Sequence, residues 1–592
     1  TGGSIMADVD NAPTEAIIAA LGGQSNDDGL LINPQCLQGD ICLGALTANN
    51  VISVGQRTAP DGLGGFVRNG IPVRVTIEGG NSLADTILIS SRRDMIVGTN
   101  GVASTLTGST QVLLDSTQGN VDLKTASLTG NLLQISAPNG SLLGTGTLTS
   151  VNDVGITVGL DIEADAIIAG GQLTTVANTG GGFENIYTVP GGIKVGIYTQ
   201  GSLIDFRINA GNEISFDAIN MPGRDLALVA AQSTPGDVFL GTTSGVTNLL
   251  LNGNNIAFTD IAATNSLTAT ANAGNVTGGN ASAGTTVDID ATGNVGFGML
   301  SGGSGTFAVD AGGGINFLSA NSTNAITMNA NGGIIGGDLV ATNALNLTSG
   351  NITIGDVTAG NVTLTSGLDI LFNTITSPNA IGLTAANGRI GRNTGNGDIN
   401  SGGDMTLLSR AITIGNLTAT GGSINASATV GDGIFGTLNA GNDVTVTTIG
   451  TPTVANAISG GNTSITGTAV TLNNGTIGGN LTLNATAGDV NSNGAITVGS
   501  GIDLDATGNV GFGSLTAQGG TFTADAGGGI NFTAATSTLN IDMNAVGTIN
   551  GGNLDAINAL NLSAGNIAIG DASASAINLT SGQDIQIGRA HV

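Results

Sequence analysis

The chain is poor in the residues on which most enzymes and nucleic-acid-binding proteins rely. Its 592 residues include no Trp, one His, two Cys and 13 Lys and Arg, against 41 Asp and Glu. The formal net charge of −28 leaves no basic surface for phosphates, which excludes nucleic acid as a partner and disfavours anionic lipid. No apolar run approaches the roughly 18 residues that a membrane-spanning helix needs.

Glycine and small apolar residues dominate instead. Glycine supplies 100 of the 592 residues but follows no Gly-X-Y register, which excludes collagen. The chain is 40% hydrophobic with a mean hydropathy of +0.28, which is too apolar for a disordered protein. Because the apolar residues are spread evenly along the chain, they predict a long, thin core rather than a ball.

A duplicated segment marks the second half of the chain. The sequence ATGNVGFG at Ala291–Gly298 recurs at Ala506–Gly513, and AGGGINF at Ala311–Phe317 recurs at Ala526–Phe532, both at an offset of 215. Residues 286–370 match 501–585 without a gap. Since one inserted residue would reverse the facing of every later strand, the ungapped copy indicates duplication of whole structural units.

A shorter cadence runs within the long repeat. A Gly-Asn or Gly-Asp pair precedes alternating apolar and polar residues, as in Gly360–Leu364 (GNVTL), Gly403–Leu407 (GDMTL) and Gly479–Leu483 (GNLTL). The spacings suit coils of about 20 residues, and the alternation predicts strands of about 3–5 residues with one buried face. The fold class is therefore all-β, a parallel β-helix (β-solenoid) that forms an elongated rod of about 30 coils, near 140 Å long. One exception is Pro13–Leu21, which carries the signals of a brief helix.

Stacking of equivalent side chains explains the composition. Stacked like charges repel, which accounts for the 9% of charged residues, whereas Asn, Thr and Ser can hydrogen-bond along a ladder. We divide the chain into a less regular start at 1–100, a loop-bearing β-helix at 101–285, and a β-helix at 286–592 that contains the duplication.

These repeats resemble those of filamentous-haemagglutinin-like exoproteins and related β-strand-repeat adhesins. The shared pattern is Gly-Asn-aliphatic-Thr-aliphatic, as in Gly350–Ile354 and Gly360–Leu364, together with Gly-Leu-Asp-Ile, as in Gly159–Ile162 and Gly367–Ile370. The resemblance implies a surface protein that is secreted through a partner outer-membrane pore. The Asn-Pro-Asn motifs of that family's secretion domain have no convincing counterpart here, which indicates an internal segment or a different lineage.

The charged residues that merit inspection for catalysis are scattered. They are His591, Lys124, Lys194, Arg92–Asp94, Gly223–Asp225, Asp27–Asp28, Asp161 and Glu163. Polysaccharide-cleaving enzymes on β-helices gather several Asp residues with a base, and their sugar subsites use aromatic rings or cations. Nothing in the sequence pairs these acids with a base, so we expect no catalytic residue and no cofactor.

Three further patterns are weaker than they look. Asp489–Gly494 (DVNSNG) fits half of an EF-hand calcium loop, but Ser500 stands where the bidentate Glu belongs, so we expect no metal site. Threonine mostly occurs singly between aliphatic residues, which does not suggest the Thr-x-Thr ranks of an ice-binding surface. The sequons at Asn275, Asn346, Asn361, Asn416, Asn480 and Asn561 are expected from composition, and we interpret these residues as laddered Asn.

The ends of the sequence and its cysteines set further expectations. Cys36 and Cys42 are close enough in sequence to close a small disulfide loop, and two thiols are an equal alternative. Thr1 starts without Met and no secretory apolar region follows, while Ile587–Val592 resembles translated adapter sequence. We therefore interpret the sequence as a mature or excised fragment.

Together these features predict a non-enzymatic, extracellular β-helical rod that is the structural or adhesive shaft of a large surface exoprotein. Its expected partner is a receptor on a host or neighbouring cell. The first alternative is a filament or sheath subunit that assembles end to end or laterally, since neither end shows a capping signature and uncapped strand edges favour stacking. A less favoured alternative is a polysaccharide lyase or hydrolase on a β-helix.

Overall fold

The secondary structure of the chain is built from β-strands. The computed structural model describes residues 4–8, 17–21, 40–48, 51–54, 74–77, 80–98, 104–152, 154–160, 162–169, 173–175, 186–189, 193–200, 206–210, 213–230 and 236–592. These residues form a parallel β-solenoid of about 23 turns with a spacing of about 20 residues, as predicted, and contain no helix. The predicted count of about 30 coils is higher than this, because it divides the full length of 592 residues by the period.

The chain divides into two compact units, Thr1–Gly305 and Thr306–Val592. The strands of the first unit are β1 Ser4–Asp8, β2 Ile17–Leu21, β3 Asp40–Leu43, β4 Val51–Val54, β5 Arg74–Ile77, β6 Gly80–Ser91, β7 Met95–Val97, β8 Ser104–Ser116, β9 Val121–Asp122, β10 Ala126–Ala137, β11 Leu142–Leu143, β12 Thr147–Ser150, β13 Val154–Val158, β14 Ile162–Ala169, β15 Leu173–Thr175, β16 Ile186–Val189, β17 Ile193–Gln200, β18 Phe206–Ala210, β19 Ile214–Val229, β20 Val238–Gly253, β21 Ile256–Ala263, β22 Ser266–Ala271, β23 Val276–Ala283, β24 Thr286–Ala291 and β25 Val295–Gly302.

The second unit continues the same pattern of short strands. Its strands are β26 Phe307–Ala311, β27 Ile315–Ser322, β28 Ile326–Ala330, β29 Gly333–Ser349, β30 Asn351–Thr353, β31 Asp356–Ser366, β32 Ile370–Phe372, β33 Thr374–Ser377, β34 Ile381–Arg392, β35 Asp398–Ser401, β36 Met405–Thr413, β37 Leu417–Ala419, β38 Ile424–Ala428, β39 Gly433–Ala440, β40 Val444–Thr448, β41 Pro452–Ser459, β42 Thr463–Gly467, β43 Val470–Ile477, β44 Leu481–Ala485, β45 Val490–Val498, β46 Ile502–Ala506, β47 Val510–Ala517, β48 Phe522–Ala526, β49 Ile530–Ser537, β50 Ile541–Ala545, β51 Thr548–Ala556, β52 Ala559–Ala564, β53 Asn566–Ser573, β54 Ala576–Ser581 and β55 Ile585–His591.

The two-residue alternation of the sequence determines which side chains enter the core. In β50, Ile541, Met543 and Ala545 are buried, while the residues between them face outward. The alternation breaks once within β47, where two outward residues separate the buried pairs and the strand bends. Gly513 lies at that bend, and a Cβ there would lie 2.4 Å from the carbonyl oxygen of Gly494. Each such turn therefore presents three short inward-facing segments to one narrow core.

Successive turns stack in parallel register. Ile502 pairs with Phe522, Phe522 with Ile541, and Ile541 with Leu560, so each pairing joins equivalent positions of adjacent turns. Each inward side chain therefore packs on its equivalents in the turns before and after it. The hydrophobic effect and the backbone ladder act on the same period, which explains why the sequence repeats at it.

The predicted helix at Pro13–Leu21 is wrong for the part that the structure describes. Ile17–Leu21 forms β2, which pairs antiparallel with β1. Adjacent β-branched residues such as Ile17 and Ile18 favour extended backbone, and pairing with a neighbouring strand outweighs the weak helix signals. Pro13 and the three residues after it lie outside the described residues.

The duplicated segments adopt equivalent strands. The bounds of β25, β26, β27 and β28 each recur, shifted by the offset of 215, as those of β47, β48, β49 and β50. The long strand β29 recurs as β51 followed by β52. The duplication inferred from the sequence is therefore a duplication of matching structural elements.

Two stacked phenylalanines lie in the core of the second unit and form a short column. Phe512 stacks on Phe532 with ring centroids 5.3 Å apart and an interplanar angle of 14°. In register with them, Ser492 lies on one side and Gly551 on the other. A Cβ at Gly551 would lie 2.5 Å from the Phe532 ring, so a glycine is needed where the column ends.

The corners of the turns carry ladders of polar side chains, as the composition predicted. In most steps a side-chain oxygen accepts a hydrogen bond from the backbone N–H of the equivalent residue one turn later. One ladder runs through Asp404, Ser423, Asp443, Asn462, Asn480 and Gly501, with N–H···O distances of 2.9, 3.4, 2.7, 2.9 and 3.0 Å in that order. These bonds satisfy backbone donors where the strands end.

Gly551→Val tests the packing at the end of the phenylalanine column. We expect the overpacked core to lose about 1–3 kcal/mol of unfolding free energy, because the new side chain meets the Phe532 ring. Urea denaturation followed by circular dichroism measures this loss. Gly382→Val is the matched control, since nothing lies within 4 Å of a Cβ at residue 382. Equal destabilisation by the two variants would contradict the packing argument.

Asn509→Ala tests the corner ladder. The Asn509 backbone N–H donates to Asp489 Oδ1 at 2.6 Å, and its own Oδ1 accepts from the Gly529 N–H at 2.8 Å. We expect the variant to lose about 1 kcal/mol of unfolding free energy, since one donor loses its partner. Asn484→Ala, on an outward strand position without a ladder bond, is expected to leave stability unchanged. A loss of similar size at Asn484 would show that the ladder bond is not the cause.

Candidate functional surface

The outward residues of the strand that begins each turn form the most regular polar surface of the second unit. In Ile502–Ala506 the burial alternates, so Asp503 and Asp505 point outward. The parallel register carries this pair of outward positions into the turns on either side. We call the outward residues of these strands, from Phe307–Ala311 to Ala576–Ser581, the polar face.

Four carboxyl groups gather at one part of the polar face. Asp505 pairs in register with Asp525, and Asp503 lies two residues before Asp505 on the same side of its strand. Asp542 lies one turn beyond Thr523, which itself pairs with Asp503. We call Asp503, Asp505, Asp525 and Asp542 the acidic patch.

Hydrogen bonds hold the outer members of the acidic patch in place. The Thr523 hydroxyl donates to Asp503 Oδ1 at 2.7 Å, and the Asn561 side-chain amide donates to Asp542. Partial burial raises the pKa of Asp505, and the neighbouring carboxylates of Asp503 and Asp525 raise it further. A carboxyl whose pKa is raised beside other acids is the arrangement that general acids use, so this is the strongest chemical feature of the described surface.

Two shallow hollows flank Asp525 on this surface. One, of about 270 Å³, is bordered by Asn484, Asp505 and Asn544 among others, and the second, of about 250 Å³, by Asp542 and Asn561. Their linings contain no His, Lys, Arg or aromatic residue. The hollows thus combine carboxyl and amide groups without the cation that would hold an anionic sugar or the ring that would stack on a neutral one.

Within the described residues, no group of three or more His, Cys, Asp or Glu is arranged to hold a metal ion. The calcium-like segment Asp489–Gly494 shows why sequence spacing misleads here. Asp489 accepts corner-ladder bonds, while Ser492 is 1% exposed and faces the core. Because the segment enters the extended strand β45, its oxygen-bearing side chains point in different directions and cannot wrap one ion.

The structure places the basic candidates in separate turns and strands. Lys124 has a positive φ of 53° and pairs with Asp122 at 2.5 Å. The carbonyl of Arg93 accepts bonds from the hydroxyls of Ser91 and Ser116, which makes this segment a hydrogen-bonded turn. His591 is exposed in β55.

The Gly223–Asp225 segment is also a structural bend. Asp225 Oδ1 accepts bonds from the backbone and side-chain amides of Asn248 at 3.1 and 2.7 Å. Arg224 has a buried Nε without a hydrogen-bond partner, and no acid of the described chain is paired with it. These two charged residues therefore do not converge on a shared site.

The remaining candidates divide between described and undescribed positions. Glu163 lies in β14, where it pairs in register with Lys194 of β17. Asp27–Asp28, Asp161 and Cys36 lie outside the described residues. Cys42 lies in β3, so its pairing with Cys36 and the two-thiol alternative both stay predictions.

The sequon asparagines are largely engaged in ladders. The Oδ1 atoms of Asn275, Asn416 and Asn480 accept backbone N–H groups one turn later. Asn561 donates to Asp542 and accepts from Asn578 at 2.8 Å. The interpretation as laddered Asn is confirmed for these four, whereas Asn346 and Asn361 face solvent.

Sequence reasoning missed the acidic patch, although its signal is present. Asp503 and Asp505 flank one inward residue, and Asp525 follows Asp505 by one full turn of the solenoid. Once the period is known, this spacing predicts neighbouring carboxyls on one face. We expected stacked charges to be avoided, and this patch is an exception.

Comparison with known proteins adds no identity to this geometry. No protein-family model matches the chain, and no curated protein or solved structure is significantly similar to it. Within the described ranges there is also no helix that is long and apolar enough to span a membrane. The functional conclusion therefore depends on the fold and its surfaces.

Asp505→Asn tests the electrostatics of the acidic patch. Folded Asp505 takes up its proton at a higher pH than the unfolded chain does, so its ionised form destabilises the folded state above that pKa. Because solvent screens these partly exposed carboxylates, we expect the variant to be only about 0.5 kcal/mol more stable than the wild type at pH 7. The difference should vanish as the pH falls below about 3.9, the ordinary value of Asp.

Thermal unfolding of both proteins across this pH range measures the difference. Asp555→Asn is the matched control, because Asp555 is exposed and pairs in register with Thr536 and Ser573 rather than with acids. It should change stability little at any pH. A variant at residue 505 that is less stable than the wild type at pH 7 would contradict the repulsion that we infer.

Proposed function

We propose that this chain is a non-enzymatic, extracellular structural and adhesive shaft, the repeat region of a large surface exoprotein. The observation that carries the proposal is the one-turn register, in which strands pair with their equivalents in adjacent turns. Such stacking extends without limit and needs no catalytic residue for stability. A protein built this way can set a distance from a surface and present its faces and loops to a partner.

The filamentous-haemagglutinin-like motif supports this proposal because its Asn and its two aliphatic residues have structural roles here. In Gly350–Ile354 the aliphatic Ile352 and Ile354 are fully buried, and Asn351 Oδ1 accepts the Asp369 N–H at 3.2 Å. In Gly479–Leu483 the same role falls to Asn480, which accepts the Gly501 N–H at 3.0 Å. The motif thus encodes one corner and one strand of a solenoid turn.

The same register supports secretion through an outer-membrane pore. Each coil contacts mainly the coils next to it in sequence, so folding can start at one end and propagate. A chain that emerges unfolded from a narrow pore could then fold coil by coil outside the cell, which would favour export. Localisation at the cell surface and a receptor on a host or neighbouring cell are parts of this proposal.

The enzyme alternative has one observation in its favour, the acidic patch. Asp505 has a raised pKa beside Asp525, and a shallow hollow borders both. A polysaccharide lyase or hydrolase would use such a carboxyl as acid or base, but it would also need groups that grip the sugar. The lining of the hollows, without cations or aromatic rings, favours the structural proposal.

Electron microscopy and cell binding of the purified chain test the proposal. We expect isolated elongated particles that bind saturably to a cell surface, with heat-unfolded protein as the control that should not bind. Ordered polymers would instead favour the filament or sheath subunit. Globular particles, or folded particles that bind no cell type, would contradict the shaft.

Incubation with polyuronides and neutral glycans, with calcium and with chelator, tests the absence of catalysis. We expect no product under either condition. Cleavage that Asp505→Asn and Asp525→Asn abolish, but Asp555→Asn leaves intact, would assign an enzyme to the acidic patch and contradict the non-enzymatic role.

A further inference from the structure

Nine consecutive turns of the second unit carry a charge-free, two-column array on the polar face. One column contains Thr327, Asn346, Thr363, Gly382, Thr406, Asn425, Thr445, Ser464 and Thr482. The other contains Asn329, Thr348, Thr365, Thr384, Leu408, Ser427, Thr447, Thr466 and Asn484. We call the two columns together the threonine array.

The composition of the threonine array is unlike that of the rest of the unit. Ten of its residues are Thr, four are Asn and two are Ser, and none is charged or aromatic. Along the two columns, the first carboxyl groups beyond the array are Asp310 on one side and Asp503 and Asp505 on the other. Beside the columns, exposed charged residues lie two positions from array members along the chain: Asp404, Asp443 and Arg410. The two columns are therefore neutral themselves, with a few charged residues at their edges.

The side chains of the threonine array point outward and are not engaged with the protein. All of its positions are half-buried or exposed, and the aliphatic residues between them face the core. Asn329 donates a hydrogen bond to Asp310 at 2.7 Å. The array residues from Asn346 to Asn484 all lie among the described residues, and none of their side chains forms a hydrogen bond within the chain. Unlike the corner Asn residues, these hydroxyl and amide groups are available to an external partner.

The backbone fixes the spacing of these groups. Neighbouring strands of a sheet lie about 4.8 Å apart, and outward residues two apart on one strand lie about 6.7 Å apart. The pairing runs from Thr445 and Thr447 into the turns on both sides residue by residue. The array is thus a lattice of hydroxyl groups, amides and methyl groups whose repeats are close to the oxygen repeats of hexagonal ice.

This lattice suits solid water better than it suits a glycan or a protein. A glycan-binding surface gains affinity from aromatic platforms or charged clamps, and the array has neither. Charged side chains would order water around themselves in patterns that differ from ice, and the two columns contain none. Threonine offers one hydroxyl to a water lattice and one methyl group that limits competing hydration.

We propose that the threonine array binds the surface of ice. The sequence argument against such a surface was that Thr mostly stands singly between aliphatic residues. In a strand that argument reverses, because the aliphatic residues turn inward and the single Thr residues align from turn to turn. This inference is independent of the adhesive role, since it concerns a different partner.

Thermal hysteresis and ice-crystal shape, measured with the purified full chain, test the proposal. We expect faceted crystals, a freezing point below the melting point, and partition of the protein into a growing ice front. Thr447→Tyr and Thr365→Tyr place a protruding ring at two separate points of the array, and each should remove most of the hysteresis. Unchanged circular dichroism and melting temperature establish that a variant is folded.

Thr476→Tyr is the matched control, because Thr476 is an exposed Thr in β43 on another face of the same unit. It should keep the wild-type hysteresis. Folded wild-type protein that neither shapes ice nor partitions into it overturns the proposal. So does an equal loss in the Thr476 variant, and so does retention on an insoluble neutral glycan without partition into ice.

Discussion

The structure depends on one constraint, the parallel stacking of each turn on the one before it. Backbone hydrogen bonds between Ile502–Ala506 and Phe522–Ala526, and then between Phe522–Ala526 and Ile541–Ala545, place every residue beside its equivalent about 4.8 Å away. Whether a side chain fits the fold therefore depends mainly on how well it packs or hydrogen-bonds against a similar side chain in the next turn. Aliphatic residues, Asn, Ser and Thr do so well, which is why the chain consists largely of them.

The same constraint explains the places where unlike residues meet. The stacked rings of Phe512 and Phe532 end against Gly551, because a third ring or even a Cβ would collide there. At the corners, Asp and Asn oxygens accept backbone N–H groups from the next turn, so an acid is tolerated where it meets a donor. Asp505 beside Asp525 has no such donor, and its pKa is raised first by partial burial and then by the neighbouring carboxylates.

The fold could be predicted from the sequence because its signals repeat. A single Val-Thr-Leu is weak evidence for a strand, but Gly360–Leu364 and Gly479–Leu483 recur at a fixed cadence, and the ungapped copy of 286–370 at 501–585 excludes irregular insertions. The error at Pro13–Leu21 arose where no repeat was available and local helix signals stood alone. Ile17–Leu21 is a strand because of its partner Ser4–Asp8, and such a partner cannot be read from a short segment.

The surfaces were harder to predict than the core, since their chemistry depends on register across turns. Asp505 and Asp525 are separated by a full turn of sequence, as are Thr447 and Thr466, so each pair looks isolated along the chain. Only the pairing shows that the first two are neighbours and that the second two belong to a long neutral array. A local motif, such as the calcium-like spacing at Asp489–Gly494, relates residues along one strand and does not show which residues are neighbours across turns.

The two copies of the duplicated segment show that inward and outward residues are under different structural constraints. Inward residues stay apolar: Met328 and Leu345 match Met543 and Leu560, and the buried Val309 corresponds to a buried alanine at residue 524. Outward residues diverge at exposed hydrophobic positions: Met299, Leu318 and Ile335 are 51%, 74% and 54% exposed, and their counterparts are Ser514, Thr533 and Asn550.

On the polar face the copies differ in charge at one position: Thr327 of the threonine array corresponds to Asp542 of the acidic patch. The stacking requirement fixes what points inward and leaves the outward positions free to change. A duplication of whole turns therefore keeps an apolar core while outward positions change one by one. Three acids of the acidic patch have acidic counterparts in the first copy, Asp288, Asp290 and Asp310, and only the fourth, Asp542, replaces a threonine.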